Sequence, residues 1–411
     1  MNMNEPKLRF KADDGSQFPD WEEKKLSDIF VERREMQCID DEYKLLSFTI
    51  EQGVINPEDK KTNKRDFLMK DKARKKFLRT EYNDIIYNPA NLKYGAINRN
   101  KLGKGLLSPI YAIFYTEQNA VFMESVVRNP DFIKRSLKYL EGTVIKLMTL
   151  KPRDFLRMKS YIPCLEEQQK IAEFLSTVDT VIEKQKEIVL AWEERKKGVM
   201  QKLFSQEVRF RADDGSDFPE WENVTVLDLL VQQITDGPHE TPVLEENGVS
   251  FVSVESIDNG RVNLTKRRGF ISKEYDDVCA KKYKPQLYDV YMVKSGATTG
   301  KVAIVTITDD FNIWSPLAAM RTSSKTEAFF LYYQLQSDMI QNQVWTKLSL
   351  GNQPNLGMRA LELFSAVRPC FVEQQKIVDC LSSLDEVIEK QEATLAAWEE
   401  MKKGLLQQMF V

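Results

Sequence analysis

The chain has 411 residues, a formal net charge of −3, and is 42% hydrophobic and 29% charged. That length predicts two to four domains with real cores, and the near-neutral balance excludes a protein coated in basic charge while allowing local basic patches. Five cysteines without a C-x-x-C pair and a single histidine, His239, exclude a structural zinc site and a disulfide framework. No apolar run approaches the ~18–20 residues that span a bilayer, and no signal-peptide pattern opens the sequence. A soluble, cytoplasmic protein with no membrane association is expected, in a reducing compartment.

In chain order, the first distinctive segment is LRFKADDGSQFPDWE at 8–22. In the stretch 23–162 that follows, 110–115 (IYAIFY) predicts a strand and 131–139 a short helix. Residues 163–204 open with PCLEEQQKIAEFLSTVDTVIEKQ and close with AWEERKKGVMQKLF, and read as one long helix. The pattern then starts again. VRFRADDGSDFPEWE at 208–222 matches the first segment at 11 of 15 positions. Within 223–368, 302–307 (VAIVTI) predicts a strand and 327–341 a helix. Residues 369–410 repeat 163–204 with 24 identities over 42 positions and no gap. The chain is one module written twice. Between the repeated anchors only echoes survive, such as Asp84-Ile85-Ile86 against Asp289-Val290-Tyr291, and Ser108-Pro109 against Ser315-Pro316.

In the first long helix Ile171, Phe174, Val178, Val181, Gln185, Ile188, Trp192 and Val199 recur at helical spacing, as do Ile377, Cys380, Leu384, Val387, Gln391, Trp398 and Leu405 in the second. This predicts a heptad seam. Pro163 and Pro369 fall just before the helices, where a missing N–H is harmless. Gln185 and Gln391 are equivalent mid-helix positions on the seam. Either their amides face each other across an antiparallel pair and pin its register, or each faces solvent at a seam edge. A helix of about 39 residues spans roughly 58 Å. Two globular heads held apart by such a pair would touch one duplex about one to one and a half turns apart, at ~34–36 Å per turn.

Catalytic motifs fail on inspection. Gly296-Ala297-Thr298-Thr299-Gly300-Lys301-Val302 has one residue too few between its glycines for a phosphate loop, and Val302 where Ser or Thr must meet magnesium. It reads as a structural turn. Asn88-Pro89-Ala90-Asn91 lacks the second Pro and the aromatic of an amino-methyltransferase motif. Pro19-Asp20-Trp21-Glu22-Glu23-Lys24 has the residue types of a nuclease site, but its acids stand too close together and Val224 replaces the lysine in the second copy. No Ser-His-Asp or Cys-His set stands out.

Basic charge is segregated. Residues 60–79 hold ten Lys or Arg, including Lys64 and Arg65, against two Asp. The second half has Lys266-Arg267-Arg268 and Lys281-Lys282-Tyr283-Lys284. Such clusters suit phosphate neutralisation, although a solvated helical face has the same composition. Base reading needs forked donors and acceptors on exposed loops. In the first half the candidates are Asn91, Lys93, Tyr94, Asn98 and Arg99. In the second they are His239, Thr241, Lys294, Ser295, Thr298, Thr299 and Lys301, with Gln353 and Asn355 in the polar loop 351–355.

Taken together, the chain resembles the specificity subunits of type I restriction–modification enzymes. The resemblance rests on the helix starts 163–170 (PCLEEQQK) and 369–376 (PCFVEQQK), and on the Lys-Lys-Gly helix ends followed by Phe204 and Phe410. It rests also on 235–242 (TDGPHETP), 289–305 (DVYMVKSGATTGKVAIV), 84–96 (DIIYNPANLKYGA) and 353–356 (QPNL). It covers essentially the whole chain. In the first half Glu141-Gly142-Thr143-Val144 stands in place of the Gly-Gln-Pro loop, so the match there is thinner.

The resemblance implies an α+β protein with two mixed α/β target-recognition domains in pseudo-twofold arrangement, separated by two long helices forming an antiparallel coiled coil. The boundaries would be 1–162 and 208–368 for the recognition domains, and 163–207 and 369–411 for the helices. Each head would read one half of an asymmetric, bipartite double-stranded DNA site. The chain itself would be non-catalytic and bind no cofactor. Two methylation subunits carrying S-adenosylmethionine would dock on it, and restriction subunits using ATP and Mg would join through the complex. Leu175, Leu190, Met200 and Phe204, outside the two-helix seam, would either pack partner helices or cover the heads. Two other classes remain open, a stand-alone DNA amino-methyltransferase and a coiled-coil scaffold that binds only proteins.

Overall fold

The computed structural model describes residues 6–60, 75–141, 148–348 and 354–410. Its contacts gather into two compact units, Met1–Lys186 with Ala393–Val411, and Glu187–Glu392. Two long helices, Leu165–Phe204 of 40 residues and Phe371–Met409 of 39, are each divided between the units. Each unit therefore holds one α/β head, half of one helix and the opposite half of the other.

In the first unit the strands Phe30–Glu32, Ala112–Thr116, Ile85–Tyr87 and Ile97–Arg99 lie side by side in that order, all antiparallel. Ile85–Tyr87 is buried along its whole length, which β-branched and aromatic residues favour. Helices Ala120–Arg128 and Pro130–Ser136 follow the sheet. Asn119 caps the first of them, its Oδ1 accepting from the backbone N–H groups of Val121 and Phe122. A second sheet of Met36–Gln37, Phe77–Thr80 and Gly105–Leu107 completes the head with the hairpin of Ser47–Thr49 and Gly53–Ile55.

In the second unit Thr235–Asp236, Leu317–Met320, Val290–Val293 and Val302–Ile304 fill the same four places with the same antiparallel pairing. Arg261–Val262 and Ile257–Asp258 extend that sheet. Helices Ala328–Gln336 and Asp338–Lys347 follow it, as in the first head. The heads thus share a frame that their sequences hide. The two echoes sit at matching places in it. Asp84 and Asp289 each precede a central strand, and each follows a residue in left-handed conformation, Asn83 (φ 72) or Tyr288 (φ 69). Both carboxylates are buried and gripped by a guanidinium, Arg33 in one head and Arg321 in the other.

Several expected elements shift. The strand at 110–115 is Ala112–Thr116, and the one at 302–307 is Val302–Ile304. The helix at 131–139 is Pro130–Ser136 followed by a 3-10 turn, Leu137–Tyr139. The helix at 327–341 is two helices, because Ser337 takes an extended backbone (ψ 152) between Gln336 and Asp338.

The duplicated anchors are explained by what they bind. Glu167 is wholly buried and accepts from Arg9 Nη2 (2.8 Å) and Nε (3.1 Å) and from Trp21 Nε1 (3.2 Å). Glu373 does the same with Arg209 Nη2 (3.0 Å) and Nε (3.1 Å) and Trp221 Nε1 (2.9 Å). The next residue holds the turn before the helix. The Gln168 amide donates to the Pro163 carbonyl and Gln374 to that of Pro369, each at 2.9 Å. These two prolines therefore provide an acceptor as well as a stop. Strand pairs Glu22–Lys25 with Lys159–Ile162, and Glu222–Thr225 with Ser365–Arg368, tie each entry segment to its own helix start.

Each head is closed by the last aromatic of the other module's helix. Phe410 lies 5.5 Å from Phe122 and 6.5 Å from Trp21 in the first unit. Phe204 lies 5.7 Å from Phe330 in the second, where Trp221 also meets Phe330 at 6.5 Å. Met200 and Phe204 belong to the second head's core and Leu175 to the first's, so these three cover the heads, while Leu190 is exposed.

The helix pairing is antiparallel within each unit. In the first, Asp179 meets Lys402 and Lys186 lies 3.7 Å from Glu399. In the second, Lys196 meets Asp385 at 2.5 Å. A heptad seam is present, but it uses Ile182 and Val189 where the sequence pattern suggested Val181 and Ile188. In the second helix it uses Leu381 and Ile388 in place of Cys380 and Val387. Several seam steps offer two adjacent apolar residues, and periodicity alone does not choose between them. Gln185 is buried and Gln391 half-buried. Among the described residues no helix is long and apolar enough to cross a membrane.

Candidate nucleic-acid interface

Sheet register decides which loops share a surface. In the second head the strand ending at Asp236 pairs with Ala318, the strand ending at Val293 pairs with Leu317, and Met292 pairs with Val302. The loops leaving Asp236, joining Val293 to Val302 and entering Leu317 therefore lie at one end of the sheet. Backbone bonds tie them together, Lys294 N–H to the Pro316 carbonyl (2.8 Å) and Ser315 N–H to that of Pro238 (3.2 Å). The first head repeats this. Tyr87 pairs with both Ala112 and Ile97, so the loop 88–96 and the entry to Ala112 share an end. Asn91, Lys93 and Tyr94 thus occupy, in the first head, the loop equivalent to the one that carries Lys294, Ser295, Thr298 and Thr299 in the second.

At this end of the second head the centre is a carboxylate that the sequence did not single out. Asp236 is fully buried. One oxygen takes the ammonium of Lys282, and the other lies 3.1 Å from His239 Nε2 and 3.3 Å from Lys294 Nζ. The Lys294 side chain is 11% exposed, those of Lys282 and His239 52% and 72%. Gly237 fixes the loop, since a Cβ there would lie 1.9 Å from the Ile313 carbonyl oxygen. Thr241 is exposed beyond it.

The turn between Val293 and Val302 is structural in build, with left-handed glycines near both ends, Gly296 (φ 97) and Gly300 (φ 94). Thr299 is buried and its hydroxyl donates to the Gly296 carbonyl at 2.7 Å, while Thr298 is exposed. Lys301 is exposed and donates to the Ile257 carbonyl (2.7 Å). Pro354 and Asn355 are tied to this turn, as Ser295 bridges Asn355 and Gly296 N–H donates to the Pro354 carbonyl at 3.0 Å.

In the first head Asn91 begins a 3-10 turn, Leu92–Tyr94, that Gly95 (φ 80) ends. Leu92 is buried as its anchor. Tyr94 is 65% exposed, and Lys93 Nζ lies 5.1 Å from its ring centroid. Asn88 and Asn91, with Gln52, Lys60 and Tyr111, line a cleft of about 670 Å³. Two candidates turn inward. Asn98 is buried against Gly53 with its amide given to the Ile50 carbonyl (3.1 Å). Arg99 is locked by Glu124 at 3.1 Å and Asn83 at 2.7 Å. Both support the sheet and present no fork to a base edge. Lys64, Arg65 and Gln353, most of the basic stretch 60–79, and Gly142 to Val144 lie outside the described residues.

Among the described residues no three His, Cys, Asp or Glu side chains gather to hold a metal ion, and all five cysteines are free. A family model described as "Type I restriction modification DNA specificity domain" matches residues 220–397. The type I restriction enzyme MjaVIII specificity subunit of Methanocaldococcus jannaschii is 26% identical over 365 residues, covering 82% of both chains. The putative type I restriction enzyme MjaX specificity subunit of that organism is 23% identical over 214 residues, half of this chain and 49% of its own. The chain resembles the specificity subunits of type I restriction–modification systems.

Solved structures show the same fold. The type I restriction–modification S subunit from M. genitalium aligns over 99% of both chains with a TM-score of 0.52 at 13% identity. A chain from a study of complex assembly and conformational transition in the type I R-M system aligns over 96% of this chain and 98% of its own, with a TM-score of 0.52 at 17% identity. The specificity-domain match contains every candidate of the second head and none of the first. Asp236, Gln52 and Tyr111 were not among the candidates, Lys282 was named only within the basic run 281–284, and Asn88 only in a motif set aside. For Asp236 and Lys282 the available signal was an acid inside 235–242 (TDGPHETP) and a lysine run 46 residues later. For Gln52 and Tyr111 no local pattern marks them.

Proposed function

We propose that this chain is the sequence-recognising subunit of a type I restriction–modification complex. Each head reads one half of an asymmetric, bipartite DNA site. The domain limits 1–162 and 208–368 for the readers, and 163–207 and 369–411 for the helices, belong to this reading. The long helices set the half-site spacing and dock two methylation subunits, which bring S-adenosylmethionine. Restriction subunits, with ATP and Mg, join through that complex.

One observation carries the reading. Two heads on one strand frame keep their anchors in common and differ at the same sheet end, where polar and cationic side chains collect. Like frames with unlike loops suit two different half-sites better than a palindrome. A rod that fixes head separation turns two modest contacts into one specific one by effective concentration. The reading assigns DNA contacts to Asn91, Lys93 and Tyr94 in the first head. In the second it assigns them to His239, Thr241, Lys294, Ser295, Thr298 and Asn355. Exchanging residues 23–150 with those of a relative, and mapping methylated bases with the methylation subunits present, tests it. One half of the methylated sequence should change. A change in both halves, or in neither, would overturn the two-reader model.

A further inference from the structure

We infer that the Asp236 cluster is a seat for a DNA backbone phosphate, with buried Asp236 as the positioning residue for Lys282, Lys294 and His239. The inference rests on the DNA-reading function proposed above and assigns this corner of the second head to register rather than to base identity.

Charge is the first argument. One carboxylate faces two ammonium groups, so the cluster keeps a net positive charge whatever the state of His239. Beside the Gly237 loop, whose neighbour is the Trp314 backbone, the Arg268 guanidinium stacks 4.0 Å above the Trp314 ring. Glu255, 3.6 Å from Arg268, offsets that charge, so the net excess rests on the two lysines.

Donor supply is the second. Each ammonium has three N–H groups. Lys282 directs one at Asp236 Oδ1, Lys294 lies 3.3 Å from Oδ2 without a hydrogen bond to it, and Lys282 and His239 are open to solvent. The carboxylate, by contrast, is fully enclosed, and its two oxygens face two ammonium groups and the His239 ring. What the cluster offers outward is donors, which suits an anionic oxygen.

Geometry is the third. Lysine binds as a point charge, whereas base edges are read by planar forks from Arg, Asn or Gln. The cluster contains no such fork. Lys282, Lys294 and His239 come from separate places in the chain, and Asp236 brings them to one point. Lys294 at 11% exposure is unusually buried for its type, which a buried partner explains. The loop at Gly237 packs too closely on the Ile313 backbone to admit a Cβ.

The test uses the chain assembled with its methylation subunits, and duplexes carrying the methylated site. Lys282→Gln removes a half-exposed cation, so folding should survive, and thermal unfolding checks this. The slope of log affinity against log salt should fall by about one, which shrinks the affinity loss between about 50 and 200 mM salt roughly threefold. Lys282→Arg should restore the slope. Asp236→Asn should lower affinity and slope together. In all three variants both halves of the methylated sequence should stay the same. An unchanged slope in Lys282→Gln, or a changed second half-site, would overturn the phosphate seat while leaving the two-reader model standing. Failure of the unsubstituted complex to bind its duplex would instead overturn that model, and this inference with it.

Discussion

Trp21 and Glu167 stand 146 residues apart, and the indole Nε1 of one donates to Oε2 of the other at 3.2 Å inside the first head. Trp221 and Glu373 repeat the bond at 2.9 Å in the second. The Glu167 carboxylate also carries Arg9, whose side chain is only 16% exposed. Glu167→Ala therefore strips a partly buried guanidinium of its main acid and should cost about 2–3 kcal/mol in urea unfolding. Glu166→Ala, one residue earlier and exposed, should stay within about 0.5 kcal/mol.

Asn91 and Asn98 flank one turn but face different tasks. Asn98→Ala orphans the Ile50 carbonyl and should cost about 1–2 kcal/mol of stability with no change in the methylated sequence. Asn91→Ala should leave thermal unfolding nearly unchanged and weaken discrimination in the first half-site by about 1–3 kcal/mol. Methylation profiling across variant duplexes reads the second effect.

Removing one heptad from the middle of each long helix keeps the seam in phase and shortens each helix by about 10 Å, the rise of roughly three base pairs. The methylated site should then have a shorter spacer, or activity should be lost. Full activity with the original spacing would count against the helices as rulers. Removing four residues instead puts the seam out of phase and should destabilise the fold.

Acid should weaken the second head through Asp276. Burial opposes its ionisation, but hydrogen bonds from Lys273, Lys284 and Asn312 outweigh that and hold its carboxyl below the usual range. A depressed folded pKa gives stability that is present above the unfolded value, about 3.9, and is lost as pH falls through the folded one. Stability measured from pH 5 downward should fall less steeply in Asp276→Asn than in the unsubstituted chain.

The long helices were legible because their seam repeats for many turns, which a short element cannot do. The seam's phase was less legible, since neighbours such as Val181 and Ile182 are both apolar and only packing separates them. The heads' common frame was hidden for the opposite reason. Its strands run three to five residues in the first head, and the one ending in Asp236 only two, too short for periodicity to register. Loop residues such as Asn91 and Lys294 were legible as candidates by type. Whether a polar side chain points outward, like Tyr94, or inward, like Asn98, follows from contacts with residues far along the chain. Asp236 was missed for that reason, as its partner Lys282 lies 46 residues away.

The exchange of closing aromatics has a consequence for how the chain is made. Residues 187–392 form one continuous unit, so the second head has all its parts once residue 392 has been synthesised. The first head has waited since residue 186 for Met409 and Phe410, which fill its core beside Trp21 and Phe122. The domain begun first is finished last. Until then an apolar gap stays open on a nascent chain, exposed to chaperones and to neighbouring chains alike.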